Sequence, residues 1–436
     1  MIERWAAMAG DGREFEAWDG VTRMAEGLPE EHLGALMEES VTWPGRRPMP
    51  YRWWEQWRRG DGRPWHAAAD HRVLYISHHP SYDAEEYEAF DGGPPADPDE
   101  GPDLGAVEAV AVSPDLRWLA LTLCSDGNTA CGGLYLLDME SGTWHQRALD
   151  DDDALIGWGR DVAFAPDGSL LAVATSTDLQ MLVWRTHDMT CLWSAGPEAV
   201  TAGTADAWGF RGLSESADDD DESALFFHTG FSGDGRLVVA ADDGRPYYPS
   251  AREGRIVVAV ADSGEVVFAT TVPARGEAVL DHSGRRLAHI AADGEVVIYD
   301  VSSGEVVARH RTGLPGARAL ACSPDGDAIA VGGDGAIEVL RPGHGRPERV
   351  RIDGTCRSVV WSSDGPRALV IGDRHATVTD GAGRELWTRR IEHPNSLVAA
   401  FAADARVLVT IDDTDEVVAW FLYDGRPPPS PITAKN

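Results

Sequence analysis

Several runs of carboxylate side chains have the residue type and the spacing that could best bind a ligand. Closely spaced acidic side chains attract a basic peptide or a basic protein region through their summed charge. The acidic runs lack the alternating ligand positions of a calcium-binding loop and the glycine that such a loop has at a fixed position. The later run Asp412–Glu416 lacks them as well, so no metal is predicted. The alternative is a set of solvated loops without a partner. The predicted partner-binding carboxylates are Glu85, Glu86, Asp150, Asp151, Asp152, Asp153, Asp218, Asp219, Asp220, Asp221 and Glu222.

A second candidate set combines arginines with tryptophans between residues 43 and 65. Basic groups beside aromatic rings can stack bases and neutralise phosphates. In a chain with a formal net charge of −34, packing of the rings on the protein's own outer wall, with arginines paired to carboxylates, is the favoured interpretation. Docking of a partner protein is the alternative, and nucleic acid is the least favoured. The residues of this set named as partner-binding are Arg52, Trp53, Trp54, Trp57, Arg58 and Arg59.

Other residues with chemical potential give weaker signals. His78 and His79 are adjacent, so in an extended backbone their side chains point opposite ways and do not form a zinc site. The chain has no G-x-S-x-G nucleophile elbow, and its 5 cysteines include no CxxC pair. The sequence therefore predicts no catalytic residue and no cofactor. The alternative is an enzyme or small-ligand binder, hydrolytic or lactonase-like, that uses polar side chains at a central channel mouth.

The bulk composition limits the classes of partner. The chain has 436 residues, with 72 Asp+Glu against 38 Lys+Arg. This balance disfavours nonspecific binding to nucleic acid or anionic lipid. No apolar run approaches the roughly 18 residues of a membrane span, and the first residues lack a secretory signal pattern. Because the cysteines are odd in number and scattered, a reducing cytoplasm is the expected location.

A recurring turn phrase shows how the chain is organised. Each copy follows one short apolar run and precedes another, and its Pro-Asp or Asp-Gly provides the backbone conformations of a tight strand connection. Successive copies start 52, 67, 49, 42, 39 and 40 residues apart. The copies are SPDLR at Ser113, APDGS at Ala165, SGDGR at Ser232, DHSGR at Asp281, SPDGD at Ser323, SSDGP at Ser362 and AADAR at Ala402.

A second phrase follows the first at a fixed offset. A strand ends at Asp, and a Ser-Gly turn leads to a further strand, as in LYLLDMESG at Leu134, IVVAVADSG at Ile256 and VVIYDVSSGE at Val296. One repeat therefore holds four antiparallel strands in about 40 residues, the unit of a propeller blade. The sequence predicts an all-β fold, a seven-bladed β-propeller with a small N-terminal helical extension.

The last repeat offers three strands, and the sequence ends without a fourth. An unpaired edge strand promotes association, so a strand from the other end of the chain is expected to complete the sheet. His71–Ser77 is the predicted closing strand. The predicted domains are a helical, Trp/Arg-rich extension (1–65), the propeller (66–426) and a Pro-rich tail (427–436). An eighth blade that starts at AADHRVL (Ala68) is the alternative.

The repeats from about residue 106 to 424 resemble divergent bacterial WD40-like (WD40/YVTN-type) propeller repeats. The resemblance rests on the SPDG turns and on the third-strand ends Tyr299-Asp300 and Leu137-Asp138. No repeat carries the Gly-His dipeptide or closes a third strand with Trp-Asp, so the buried Asp–His–Ser/Thr–Trp network of that family is not expected. The resemblance implies a scaffold for protein contacts and no catalytic residue.

Strand order predicts that both turn phrases lie on one face and that the connections between blades lie on the other. The long insertions all fall on the second face, and they are rich in acidic residues. The sequence therefore predicts a non-enzymatic protein-interaction module whose acidic arc recognises a basic partner. The insertions are 78–104, 150–160, 196–224 and 241–254.

Overall fold

A computed structural model describes the repeat region and one strand that precedes it. These residues form strands, turns and connections and include no helix. In this part of the chain there is accordingly no helix long and apolar enough to cross a membrane. The predicted helical extension (1–65) and Pro-rich tail (427–436) lie outside it. The described residues are 71–76, 107–123, 133–139, 143–147, 159–175, 181–195, 228–241, 253–273, 277–291, 293–341, 346–391, 397–402, 405, 407–411 and 416–422.

Short strands rich in Val, Leu, Ile and Ala alternate with turns throughout these ranges. Branched and aliphatic side chains favour the pleated, half-buried surface of a sheet. The strands are β1 (His71–Ile76), β2 (Val107–Val112), β3 (Trp118–Leu123), β4 (Gly133–Asp138), β5 (Thr143–Arg147), β6 (Gly159–Phe164), β7 (Leu170–Thr175), β8 (Met181–Arg185), β9 (Thr190–Ala195), β10 (His228–Phe231), β11 (Leu237–Ala241), β12 (Glu253–Val260), β13 (Val266–Pro273), β14 (Ala278–Leu280), β15 (Arg286–Ile290), β16 (Glu295–Asp300), β17 (Val306–Arg311), β18 (Ala319–Cys322), β19 (Ile329–Gly332), β20 (Asp334–Leu340), β21 (Glu348–Ser362), β22 (Gly365–Ile371), β23 (His375–Asp380), β24 (Glu385–Arg390), β25 (Val398–Ala402), β26 (Val407–Ile411) and β27 (Glu416–Phe421).

These strands form antiparallel sheets in which neighbours in the sequence are neighbours in space. The four-stranded sheets are β2–β5, β6–β9, β10–β13, β14–β17 and the sheet with the order β1-β27-β26-β25. The remaining strands, β18–β24, form one sheet of seven. It is continuous because β21, which is 15 residues long, pairs with β20 through its first part and with β22 through its second.

The sheets are arranged side by side in chain order, with their first strands adjacent. Contacts between first strands run from β25 to β2, on to β6, β10, β14 and β18, and then to β21. The core consists of apolar layers between successive sheets. In one such layer, Ala172 and Val183 of the β6–β9 sheet pack with Val257 of the β10–β13 sheet. A radial stack of four-stranded sheets is the propeller arrangement.

In several sheets a serine begins the turn phrase and fixes the turn after the first strand. Ser232 Oγ donates to Asp234 Oδ1 (2.7 Å) and accepts from the N–H of Leu237 (3.0 Å). The N–H of Gly235 donates to Ser232 O (2.8 Å), and this glycine has a φ of 74°. Residues other than glycine rarely adopt that φ, so the turn favours glycine, although Leu116 and Ala405 occupy the equivalent position of two other phrases with φ values of 62° and 55°. The same serine bonds recur in other sheets, at Ser113 and Ser323.

The turns of both phrases lie on the same face of the molecule. The N–H of Ala261, directly after the third strand of its sheet, donates to the carbonyl of Arg236 (2.9 Å). Arg236 belongs to the turn phrase that follows the first strand of the same sheet. Val301 makes the same bond to Arg285 in the next sheet (2.9 Å). We call this the turn face. The opposite face holds the beginnings of the first strands and is called the connection face.

A strand from early in the chain completes the last sheet. β1 pairs antiparallel with β27, with His71 opposite Trp420 and Ile76 opposite Glu416. The sheet of β25, β26 and β27 thereby gains a fourth strand, and the outer edge of β27 is covered by backbone hydrogen bonds.

Candidate functional site

Three titratable side chains occupy equivalent positions in three successive sheets. Asp161 in β6, His228 in β10 and Glu277 directly before β14 each lie four residues before the first residue of their turn phrase. Because the first strands end at the turn face, these side chains lie at the connection face, near the beginnings of the innermost strands. We call them the connection-face trio.

Asp161 and His228 form a hydrogen-bonded ion pair between two sheets. His228 Nδ1 lies 3.0 Å from Asp161 Oδ2, and the side chains are 22% and 25% exposed. The same carboxylate oxygen accepts from the backbone N–H of Thr229 (2.9 Å). Its other oxygen accepts from the N–H of Val162 (2.9 Å). Both oxygens of Asp161 are therefore engaged.

His228 is held in its charged form. Burial alone would lower the pKa of His228, but the hydrogen bond to Asp161, with the charges of Asp161 and Glu277, raises it to about 9. His228 Nε2 lies 3.0 Å from the carbonyl oxygen of Ala278. A protonated imidazole donates from both nitrogens, which matches one carboxylate and one carbonyl as acceptors.

Glu277 makes the third link of the trio. Its Oε2 accepts from the backbone N–H of Leu320 (2.9 Å) in β18. Burial and the nearby charge of Asp161 raise the pKa of Glu277, while the charge of His228 and the N–H of Leu320 oppose the rise. This carboxyl group therefore binds a proton more readily than an exposed glutamate does.

Every member of the trio bonds to the backbone of the next first strand. Asp161 reaches Thr229, His228 reaches Ala278 and Glu277 reaches Leu320, and each target is one residue after the trio position of its own sheet. Hydrogen bonds of this kind replace water for backbone groups that face a neighbouring sheet. The trio thus ties four successive sheets together at the connection face.

Two further ionic contacts flank the trio on either side. Arg160 Nη1 lies 3.2 Å from Glu108 Oε1, between the first and second sheets of the repeat region. On the other side, Arg318 Nη2 lies 3.4 Å from Asp334 Oδ1, an oxygen that also accepts from Thr355 Oγ1 (2.9 Å). These two contacts, like those of the trio, join protein groups to one another.

The arrangement favours a structural role for these groups over catalysis. A general base needs an open lone pair within reach of substrate, whereas both ring nitrogens of His228 and both oxygens of Asp161 contact protein atoms. Among the residues the structure covers, no group of three or more His, Cys, Asp and Glu is placed to hold a metal ion. Burial raises the pKa of Cys322 and of Cys356 to about 12, so neither thiol is activated.

The partner-binding residues predicted from the sequence all lie outside the described residues. This applies to the acidic runs at 85–86, 150–153 and 218–222 and to the arginines and tryptophans at 52–59. The trio was missed, although a signal for it existed. Aligning the repeats on their turn phrases puts a polar residue at one offset in three consecutive copies, where Ala109 and Ala319 stand in two others.

Comparison with known proteins supports the radial arrangement. The profile of the PQQ_2 family, described as outer membrane protein assembly factor BamB, matches residues 190–427. No curated protein matches the chain. A chain in the crystal structure of the mitotic checkpoint complex aligns with 75% of this chain and 93% of its own length, at a TM-score of 0.53 and 15% identity. At this identity the likeness concerns the fold alone. With the sheet arrangement, these matches show a β-propeller repeat protein.

Proposed function

Because the chain belongs to the PQQ_2 family, described as outer membrane protein assembly factor BamB, we propose that it is a non-enzymatic scaffold that binds protein partners. The hydrogen bonding of the connection-face trio carries this proposal. Asp161, His228 and Glu277 use their polar atoms to join neighbouring sheets, which gives a rigid ring on which loops can be displayed. Rigid scaffolds that position variable loops are a common basis of recognition.

We infer seven blades of WD40-like type. The seven-stranded sheet corresponds to two blades, because β21 pairs with β20 along one part and with β22 along another. The five four-stranded sheets supply the others, and β1 completes the last.

The partner proposed for the scaffold is a protein or peptide region with a basic surface. The formal net charge of −34 and the aspartate runs in the insertions of the connection face support this choice. Charge of one sign on a surface speeds the encounter with a partner of the opposite sign, and salt screens the effect.

Binding of a deca-arginine peptide, measured at low and at physiological salt, tests the proposal. Replacing Asp218–Asp221 with serines should weaken binding at least about four-fold at low salt, since each exposed ion pair contributes a few tenths of a kcal/mol. The matched control removes four exposed carboxylates of the turn face, Asp167, Asp188, Glu305 and Asp327. Equal weakening in both variants would show that net charge alone attracts the peptide, and unchanged binding in the first would refute the proposed surface.

The rival function is a propeller enzyme or small-ligand binder at the channel mouth. The raised pKa values of His228 and Glu277 are the observation in its favour, because shifted pKa values cluster at functional sites. Glu277→Gln keeps an acceptor for the N–H of Leu320 but removes the titration. If the trio is structural, this variant should keep the binding of every partner that the wild type captures.

The cytoplasmic location stays a prediction. The half-buried thiol of Cys322 and the buried thiol of Cys356 are free, which supports a reducing compartment. Fractionation of cells that produce the chain at native level tests it, and recovery with the envelope fraction would contradict it.

A further inference from the structure

The outer edge of the β10–β13 sheet differs from the outer edges of the other sheets. β13, with the sequence VVFATTVP, runs for eight residues without a charged side chain. Among the strands that the structure describes, it pairs with β12 alone. Within the described ranges its outer side therefore has no strand partner, and the backbone groups of such an edge are a template for another strand.

Other outer strands carry the features that discourage strand addition. Arg309 and Arg311 lie in β17, and Glu385 and Arg389 lie in β24. The uncharged outer strand β9 is held by its tryptophan, because Trp193 Nε1 donates to the carbonyl of Ala261 in the next sheet (2.8 Å). Charges and covering contacts are the devices by which proteins protect edges. β13 carries no charged side chain along its length; the protecting features it has are a shift of its register with β12 next to Val267 and a proline at its end, Pro273.

The side chains of β13 divide into a buried and an exposed set. Phe268 and Val272 are buried against the following sheet. Val267 is 42% exposed, and Ala269 and Thr271 on the same side are exposed as well. Among the large apolar side chains in the described ranges, Val267 is one of three with such exposure. The edge of β13 thus combines backbone groups with small and β-branched side chains. Such a surface suits pairing with another β-branched strand.

We propose that β13 is a strand-addition site for an extended partner segment that is uncharged and β-branched along its length and basic at its C-terminal end. A charged residue in the middle of the added strand would lose water without gaining an ionic partner. The turn before β13 carries the exposed carboxylates Asp262 and Glu265, which in an antiparallel pairing lie beside the C-terminal end of the added strand. A second copy of the chain is disfavoured as the occupant, because each copy has a net charge of −34.

The site lies on the outer wall and is independent of the acidic connection face. Failure of either proposal therefore leaves the other intact. The test uses the full chain and the peptide acetyl-TVTVTVTRR-amide, with binding followed by fluorescence anisotropy and the location by amide hydrogen exchange. The key control is the same peptide with alternate amide nitrogens methylated, which keeps the side chains but removes hydrogen bonds to a strand.

The expected result is binding of the unmodified peptide, protection of amides in β13, and no binding of the methylated peptide. Val267→Lys with Thr271→Lys should weaken binding about five-fold, because the charge added at position 267 then faces an arginine of the peptide and the charge added at position 271 loses water beside uncharged side chains. Val307→Lys, at the equivalent exposed position of β17, should leave it unchanged. Equal binding of the methylated peptide, protection elsewhere, or no binding would overturn the proposal. Concentration-dependent dimers that Val267→Lys abolishes would overturn it in favour of a second copy.

Discussion

Two histidines of adjacent sheets have opposite protonation states at neutral pH. His228 is charged because a carboxylate and a carbonyl accept from its ring, with a pKa raised to about 9. His289 in β15 is 2% exposed, and neither of its ring nitrogens has a hydrogen-bond partner. Burial, aided by the charge of Arg309, lowers the pKa of His289 to about 4. The two residues should therefore affect stability in opposite pH ranges.

His228→Gln should remove a loss of stability at alkaline pH. Below pH 6.5 the folded and unfolded states both bind the proton, so the stabilisation is complete. Between pH 6.5 and about 9 only the folded state keeps the proton on His228. The free energy of unfolding of the wild type therefore falls by up to about 3 kcal/mol as pH rises. Urea unfolding across this range measures the slope. His187→Gln, at an exposed histidine, should retain the wild-type slope; parallel curves for all three proteins would contradict the assignment.

His289→Leu should have its effect on the acid side. As pH falls from 6.5 to about 4, the unfolded chain binds a proton that the folded state excludes, so the wild type loses up to about 3 kcal/mol. Leucine removes this loss and two buried polar atoms without partners. The stability difference between variant and wild type should therefore grow as pH falls. A difference that stays constant with pH would mean that His289 does not titrate in this range.

The turns between third and fourth strands differ in how tightly the neighbouring sheet packs on them. Gly264 and Gly304 are equivalent glycines with φ values of 71° and 72°. A Cβ on Gly264 would lie 2.8 Å from Trp193 Cδ2, whereas a Cβ on Gly304 would meet its nearest atom, Phe268 Cε2, at 4.0 Å. The ring of Trp193 thus locks one turn to the preceding sheet.

Gly264→Ala should destabilise the protein more than Gly304→Ala. Each substitution places a side chain in the left-handed region, which costs about 1–2 kcal/mol. Gly264→Ala also overpacks the Trp193 contact, which adds about 1–3 kcal/mol. Chemical unfolding gives the two losses, and tryptophan fluorescence of the folded state should change for Gly264→Ala alone. Equal losses would show that the turn moves freely away from the ring.

Much of the strand pattern could be predicted from the sequence, because its signals are local. The phrases at Ser232 and Ser323 predict turns through side chains that bond to backbone two to five residues away. The trio could not be assigned in this way, since Asp161 meets a backbone group 68 residues further on. Such contacts depend on how sheets face each other. The unbroken β21 also runs through a place where the repeat predicts a boundary between blades.

The ring is closed by pairing between two distant parts of the chain. β1 covers the edge of β27, and the first strand of that sheet, β25, contacts β2. Without β1 the sheet would have three strands and an open edge, which lowers stability and invites association. The closing contact is therefore a property of the complete ring and of no single repeat.

Removal of residues 1–77 should lower the melting temperature and produce self-association, because it deletes β1. Removal of residues 1–65 keeps His71–Ile76 and should leave the ring closed. Thermal unfolding and sedimentation velocity compare the two truncations with the full chain. If both truncations behave alike, the pairing of β1 with β27 does not hold the ring together.

The pairing of β1 with β27 also governs events on the ribosome. Of the described strands β1 is synthesised first, and its partner emerges about 340 residues later, on the order of tens of seconds at ordinary elongation rates. Throughout that interval β1 has no partner strand in the nascent chain, and the incomplete ring is not closed. Chaperones that shield extended segments should therefore associate with this protein until β27 is made, and a circular permutant in which β1 directly follows β27 should shorten that association.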